Sequence, residues 1–155
     1  MPSKFNYEEF VAKDPKEVFE LISNFSEYKN FLPGCTNSEI LSSSEGYEIG
    51  KLDFNFFNKD YTIESKNIKS SSELTIKQLK GPFNSFDAWW KVTKKDAGCL
   101  VNFSAEFKAP FFMQPFMQKS LIDIFAGKFI NAFIGRLLWR YFLLIKESKR
   151  NSFFH

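Results

Sequence analysis

The longest regular pattern of apolar residues lies in the last third of the chain. Apolar residues recur every four positions at Leu121, Phe125, Phe129, Phe133, Leu137 and Tyr141, with Ile122, Ala126, Ile130, Ile134, Leu138 and Phe142 beside them. This spacing indicates an α-helix, and a stripe so wide predicts that other elements enclose it. Charged residues interrupt residues 121–145, so a membrane-spanning helix is not expected.

Seven shorter segments with apolar residues at alternate positions precede this helix, with turn residues between them. They cover residues 4–11, 36–41, 47–57, 61–68, 74–79, 86–92 and 101–107. Such segments are typical of β-strands, and strands this close in sequence are joined as antiparallel neighbours. Gly81 and Pro82 cannot sit inside a regular ladder, so they predict a bulge or bend that lets the sheet curl.

Two short helices are expected after the first strand. Asp14 followed by Pro15 is a helix start, and Ser26 can cap a second helix that Pro33 and Gly34 stop. The pattern therefore predicts an α+β domain over residues 1–150: a curved antiparallel sheet of about seven strands wrapped around the long C-terminal helix. Residues 151–155 are expected to be a frayed tail.

A curved sheet meets a long helix closely at one end and splays away at the other, which leaves a gap that is either filled core or a tunnel for an apolar ligand. The expected lining residues are Tyr28, Phe31, Phe54, Phe56, Phe86, Trp90, Phe103, Phe107, Phe125, Phe129, Phe133, Arg136, Leu137 and Tyr141. Two of them have alternative roles. Tyr28 is either a core residue bonded to backbone or a donor to a ligand carbonyl. Arg136 either pairs with an acid such as Glu64 or Glu106 or meets a ligand head group or anionic lipid.

Composition narrows the function classes. Aromatic residues make up 19% of the 155 residues, and the net charge is +3, which permits contact with RNA or anionic lipid without demanding it. Cys35 and Cys99 are far apart, which argues against a disulfide scaffold or a zinc site. The one histidine is His155 at the chain end, and no nucleotide-binding or hydrolase motif occurs. We therefore expect neither catalysis nor a required cofactor; a cyclase that uses Tyr, Arg and Glu is the enzymatic alternative.

Four sequence motifs together resemble those of one known protein family. They are YKNFLPGCTNSEIL at residues 28–41, GPFNSFDAWWKV at 81–92, CLVNFSAEF at 99–107 and AFIGRLLWRY at 132–141. In this order and spacing the chain resembles the START-like (SRPBCC, polyketide cyclase/dehydrase) superfamily, in particular the coenzyme Q-binding proteins and the ribosome association toxin RatA. Val92 departs from the pattern, because an aromatic residue is usual there.

The resemblance implies a helix-grip (START/Bet v1-like) fold with a hydrophobic tunnel. It implies ubiquinone or another polyprenyl lipid as the bound ligand, in a chaperone or carrier that supports respiration. The RatA branch implies instead a partner in the large ribosomal subunit and inhibition of subunit association, as part of a toxin–antitoxin pair. The motifs do not separate these two roles.

Surface features lead to further expectations. Residues 109–118 (APFFMQPFMQ) form a packed loop, a lid or a membrane-contacting flap, and the basic and aromatic tail is either solvated or in contact with an anionic membrane. Seven basic residues would serve a ribosome contact: Lys119, Lys128, Arg136, Arg140, Lys146, Lys149 and Arg150. DNA is not an expected partner. Residues 1–7 lack an apolar leader pattern, so we expect a cytoplasmic protein or one peripheral to the inner membrane.

Overall fold

The computed structural model describes residues 2–56 and 58–153, with the backbone alone at residues 116, 139–145, 147–148 and 151–153. The strands are β1 (Ser3–Val11), β2 (Cys35–Ser44), β3 (Tyr47–Phe56), β4 (Lys59–Lys69), β5 (Glu73–Lys80), β6 (Ser85–Lys95) and β7 (Gly98–Lys108). The α-helices are α1 (Pro15–Ser23) and α2 (Lys119–Phe153), and short 3₁₀ helices span Phe25–Asn30 and Phe111–Phe116.

The strands form one antiparallel sheet in the order β1-β7-β6-β5-β4-β3-β2. Each strand from β2 to β6 pairs with the next along the chain. Strand β1 pairs with β7, which places Ser3 opposite Phe107 and Val11 opposite Cys99. Hairpin connections explain this order, because short turns can only join antiparallel strands. The predicted fold, a curved seven-stranded sheet with a long C-terminal helix, is confirmed.

Alternation along the central strands creates the inner face that the helices cover. Ala88, Trp90 and Val92 of β6 are buried, while the residues between them are exposed. Val18, Leu21 and Ile22 of α1 pack on this face, together with Ile130, Phe133 and Leu137 of α2. The predicted stripe on α2 is narrower than expected, because Leu138 is 58% exposed.

The start of α1 follows the prediction. The Asp14 carboxylate accepts a hydrogen bond from the Lys16 backbone N–H at 2.8 Å, and Pro15 occupies the first helical position. The predicted cap of the second short helix was wrong, because this 3₁₀ helix starts at Phe25 and Asn24 precedes it. The Ser26 carbonyl instead accepts a hydrogen bond from Ser38 Oγ at 2.8 Å, which ties the helix to β2.

Gly81 and Pro82 lie outside the ladder, in a bend between β5 and β6, so of the predicted bulge or bend the structure has the bend. The irregularity falls just before them: Ser65 faces Gln78 and Glu64 faces Lys80, which leaves Leu79 as the extra residue. The reversal at Pro33 and Gly34 is confirmed, with Gly34 at a φ of +75° that favours glycine. Helix α2 continues to Phe153, into the segment predicted to fray.

Candidate functional site

Five of the predicted lining residues meet between α2 and the sheet. The ring of Trp90 lies 4.5 Å from that of Phe103 and 5.0 Å from that of Phe133. On its other side, the Phe133 ring lies 5.0 Å from Phe31 and 5.2 Å from Tyr28. We call Tyr28, Phe31, Trp90, Phe103 and Phe133 the aromatic cluster; it joins the first 3₁₀ helix, β6, β7 and α2.

Several other predicted residues extend this aromatic cluster along the interface between the sheet and α2. The rings of Phe54 and Phe56 are 6.2 and 6.5 Å from Phe129, and those of Phe86 and Phe107 are 6.1 Å apart. Leu137 is buried and Phe125 is half-buried. The side chain of Tyr141 lies outside the described residues. The predicted lining is therefore an extended apolar layer rather than one pocket.

The hydroxyl of Tyr28 is engaged within the protein. It donates a hydrogen bond to the Ile22 carbonyl, and burial raises the pKa of the phenol well above its usual range. Of the two predicted roles, the core tyrosine bonded to backbone is the one observed. A ligand carbonyl could use this donor only by displacing the Ile22 bond.

Arg136 lies on a half-buried part of α2 with a different partner from those predicted. Its Nη2 is 3.9 Å from Glu27 Oε2, and its guanidinium carbon is 5.9 Å from the Phe31 ring centroid. The expected pairing with Glu64 or Glu106 was wrong. Glu64 lies 3.9 Å from Lys80 Nζ, and Glu106 faces Lys4 and Asp87 in the sheet register.

A cavity of about 20 Å³ lies beneath α2, with room for about one water molecule. It is lined by Tyr7, Glu9, Val11, Val18, Ile22, Trp90, Val101, Ile130, Phe133, Ile134 and Leu137. Three of these residues were predicted. A prenyl chain cannot enter a space of this size unless α2 moves away from the sheet.

Two polar residues of this lining, Tyr7 and Glu9, were missed. The Tyr7 hydroxyl donates a hydrogen bond to the Glu9 carboxylate, and partial burial together with this neighbour raises the pKa of Tyr7 to about 12. The alternation of β1 carried the signal, because Tyr7, Glu9 and Val11 share one face of that strand. An acidic residue on the inward face of a strand, here Glu9, is the feature by which the sequence could have indicated this pair.

A buried polar pair lies on the inner face of β4. Ser65 and Asn67 are each 1% exposed, and Ser65 Oγ donates to Asn67 Oδ1 at 2.8 Å. The Asn67 Nδ2 atom has no hydrogen-bond partner among the described residues. An unsatisfied buried amide is costly, so this donor requires an explanation. The sequence pattern did not reveal this pair, because inward-facing positions of a strand are usually apolar and Ser65 and Asn67 are polar.

The outer face of the sheet carries a shallow groove of about 330 Å³. Its lining includes Trp89, which is 39% exposed, and the polar residues Thr75, Asn102 and Ser104. Lys91 and Glu73 at its edge are 3.7 Å apart. The adjacent tryptophans were the available signal, because neighbours on a strand point to opposite faces.

No helix in the described part of the chain is both long and apolar enough to cross a membrane. Among the same residues, no group of three or more His, Cys, Asp or Glu side chains is placed to hold a metal ion.

A seven-stranded antiparallel sheet closed over one long C-terminal helix, with aromatic rings between them, defines a START-like helix-grip protein. Residues 11–134 match the polyketide cyclase / dehydrase and lipid transport family, and the chain belongs to that family.

The chain is similar to two named toxins of Escherichia coli. It is 25% identical to the ribosome association toxin RatA over 139 residues, which are 88% of this chain and 83% of RatA. It is 26% identical over 140 residues to the persistence and stress-resistance toxin PasT of another strain, with the same coverage. RatA of Rickettsia prowazekii is 23% identical over 137 residues, 85% of this chain and 94% of that protein.

Solved structures share the fold at low identity. The Zhui aromatase/cyclase of a Streptomyces strain superposes with a TM-score of 0.79 at 16% identity, covering 91% of this chain and 96% of that one. A START superfamily protein from Mycobacterium smegmatis gives 0.69 at 12% identity, covering 87% and 93%.

Proposed function

We propose that this chain is a RatA-type factor that acts by associating with the ribosome rather than by catalysis. The observation that carries the proposal is the similarity to the ribosome association toxin RatA along 88% of this chain and 83% of that protein. The family resemblance points to the large subunit as the partner and to inhibition of subunit joining as the effect.

The geometry supports a surface function. The cavity beneath α2 holds about 20 Å³, whereas the outer groove around Trp89 measures about 330 Å³. Tryptophan is enriched at protein interfaces, and the groove offers hydroxyl and amide groups beside the indole. We therefore propose the Trp89 groove as part of the ribosome contact.

Co-sedimentation in sucrose gradients tests this function. The chain is expected in the large-subunit fraction at low salt and to leave it as salt rises, because phosphate contacts weaken with ionic strength. The Trp89→Ala variant should lower this fraction at least tenfold. Phe10→Ala removes another exposed ring of the outer face and should change little. Absence of the wild-type chain from the large-subunit fraction at low salt would remove the proposal.

A second candidate is a carrier or chaperone for ubiquinone or another polyprenyl lipid. Three observations favour it: the aromatic cluster between sheet and helix, the unsatisfied amide of Asn67 in the interior, and the lipid transport description of the family. An amide N–H can donate to a quinone or ester carbonyl. Such a ligand would enter the cavity beneath α2 only if α2 moved away from the sheet.

Extraction of the purified protein into organic solvent, followed by mass spectrometry, tests the carrier function. A carrier should yield a quinone or polyprenyl lipid in an amount comparable to the protein. Asn67→Leu should weaken binding of added quinone, whereas Thr75→Val, a change on the outer face, should not. A protein that is empty and also ignores added quinone would exclude this candidate.

A further inference from the structure

The antiparallel order brings five exposed lysines to one end of the sheet. The register places Ser3 opposite Phe107, Phe56 opposite Lys59, and Ser85 opposite Lys108. The start of β1, two hairpin turns and the end of β7 therefore lie at the same end of the sheet. Lys4, Lys59, Lys80, Lys108 and Lys119 lie at or next to these positions and are exposed. We call this region the lysine end.

Acidic residues also lie at this end, where Glu106 faces Lys4 on one side and Asp87 on the other. Asp60 lies beside Lys59 and accepts a hydrogen bond from Asn55, and Glu64 is 3.9 Å from the Lys80 ammonium. No acidic residue occurs between Glu106 and Asp123, the stretch that connects β7 to α2. The positive charge of the lysine end is therefore concentrated at Lys108 and Lys119, which lie on this stretch.

Large exposed apolar side chains lie close to Lys108 and Lys119 along the chain. Phe111 is 92% exposed and Phe112 is 62% exposed, both on the 3₁₀ helix Phe111–Phe116 that follows Lys108. Ile124, on the first turns of α2, is 54% exposed. Adjacent phenylalanines this exposed are unusual for a face that meets only water.

We propose that the lysine end docks on an anionic lipid bilayer, with Phe111 and Phe112 inserted at the interface and the lysines against the head groups. Exposed aromatic residues beside lysines have the chemistry of peripheral membrane contacts, in which apolar insertion and charge attraction add. A bilayer suits this end better than a nucleic acid, because two adjacent phenylalanines offer apolar surface without hydrogen-bonding groups. The inference goes beyond ribosome association and does not depend on it.

Vesicle flotation of the full chain tests the apolar part. The wild-type chain should float with vesicles of phosphatidylcholine containing phosphatidylglycerol and bind pure phosphatidylcholine at least tenfold more weakly. Phe111→Ser with Phe112→Ser should lower binding to the anionic vesicles at least tenfold. Phe10→Ser, which removes an exposed ring from the outer face of β1, should bind as the wild type does. All of these side chains are exposed, so thermal unfolding should show that each variant folds.

Charge variants test the electrostatic part. Each lysine near an anionic surface contributes about a fivefold change in binding. Lys108→Gln with Lys119→Gln should therefore lower binding to anionic vesicles by more than tenfold and flatten its salt dependence. Lys94→Gln with Lys95→Gln, at the other end of β6, is the matched control.

Two outcomes would overturn the proposal. One is a wild-type chain that stays with the unbound fraction at low salt. The other is a phenylalanine double variant that floats as well as the wild type, including the case in which it loses ribosome association instead. The second result would assign Phe111 and Phe112 to a protein or RNA contact.

Discussion

Gly50 on β3 shows how one residue fixes the packing of the first 3₁₀ helix against the sheet. A Cβ at this position would lie 2.4 Å from Cε1 of Phe25. Phe25 is 3% exposed and packs against Tyr28 with ring centroids 5.2 Å apart, so its ring has little room to move. Gly50→Val should therefore lower the free energy of unfolding by about 1–3 kcal/mol, as overpacking does. Urea unfolding measures the difference.

Gly135 on α2 provides the control for that substitution. Outside its own turn of the helix, none of the described side chains comes within 4 Å of the place where its Cβ would be. Gly135→Ala should raise the free energy of unfolding by about 0.5–1 kcal/mol, because alanine loses less conformational freedom in a helix. Equal effects of the two substitutions would contradict the packing described around Phe25.

Cys35 is free, half-buried and poorly ionised. Its thiol donates to the Asn37 carbonyl at 3.4 Å, and burial raises its pKa to about 11. Because the thiolate is the reactive form, native Cys35 should react with iodoacetamide at pH 8 about 200-fold more slowly than in the unfolded chain, whose thiol pKa is about 8.5. The rate should rise about tenfold per pH unit up to about pH 11. Peptide mapping after timed labelling separates Cys35 from Cys99, and equal rates in the native and unfolded chains would contradict the raised pKa.

At the level of elements, Phe133 is one of the buried residues, with Ile130 and Leu137, through which α2 packs on the sheet. Phe133 contacts Tyr28, Phe31 and Trp90 within 5.2 Å and is 6% exposed. Phe133→Ala should cost about 3–5 kcal/mol of unfolding free energy, because it removes a large buried side chain and leaves a cavity. Thermal or urea unfolding measures this cost.

Leu138 on the same helix gives the comparison. It is 58% exposed, although the sequence pattern placed it in the apolar stripe. Leu138→Ala should stay within about 0.5 kcal/mol of the wild type. A large loss at Leu138 would indicate that a partner or another copy of the chain covers this face.

The elements were predictable from the sequence because their periodicities differ. Apolar residues at alternate positions predicted the strands, and apolar residues every four positions predicted α2. The Asp14–Pro15 pair predicted the start of α1. The details that failed depend on non-local contacts. Ser26 looks like a helix cap in sequence, but its carbonyl instead bonds Ser38, twelve residues away. Similarly, Arg136 pairs with Glu27 because folding brings the first 3₁₀ helix under α2.

At the scale of the whole molecule, the same apolar pattern describes a filled core and an open tunnel. Trp90, Phe133 and Leu137 were predicted as lining and do border the cavity, yet it measures only about 20 Å³. Its volume depends on how rings from β6, β7 and α2 interlock, which no local spacing encodes. The polar residues Glu9 and Asn67 were not predicted as part of the interior for the same reason, because their burial depends on the elements packed around them.

The small size of the cavity beneath α2 makes a prediction about small apolar ligands that separates the two candidate functions. Benzene should leave the melting temperature of the wild-type chain unchanged, because a space of about 20 Å³ cannot hold it. Leu137 is 3% exposed and borders the cavity, so Leu137→Ala should cost about 2–5 kcal/mol and enlarge it. Benzene should then restore part of the lost stability in that variant, because a dry apolar cavity of sufficient size binds it. Stabilisation of the wild-type chain by benzene or a short-tailed quinone would mean that α2 opens readily in solution, and would favour the carrier over a protein that works only through its surface.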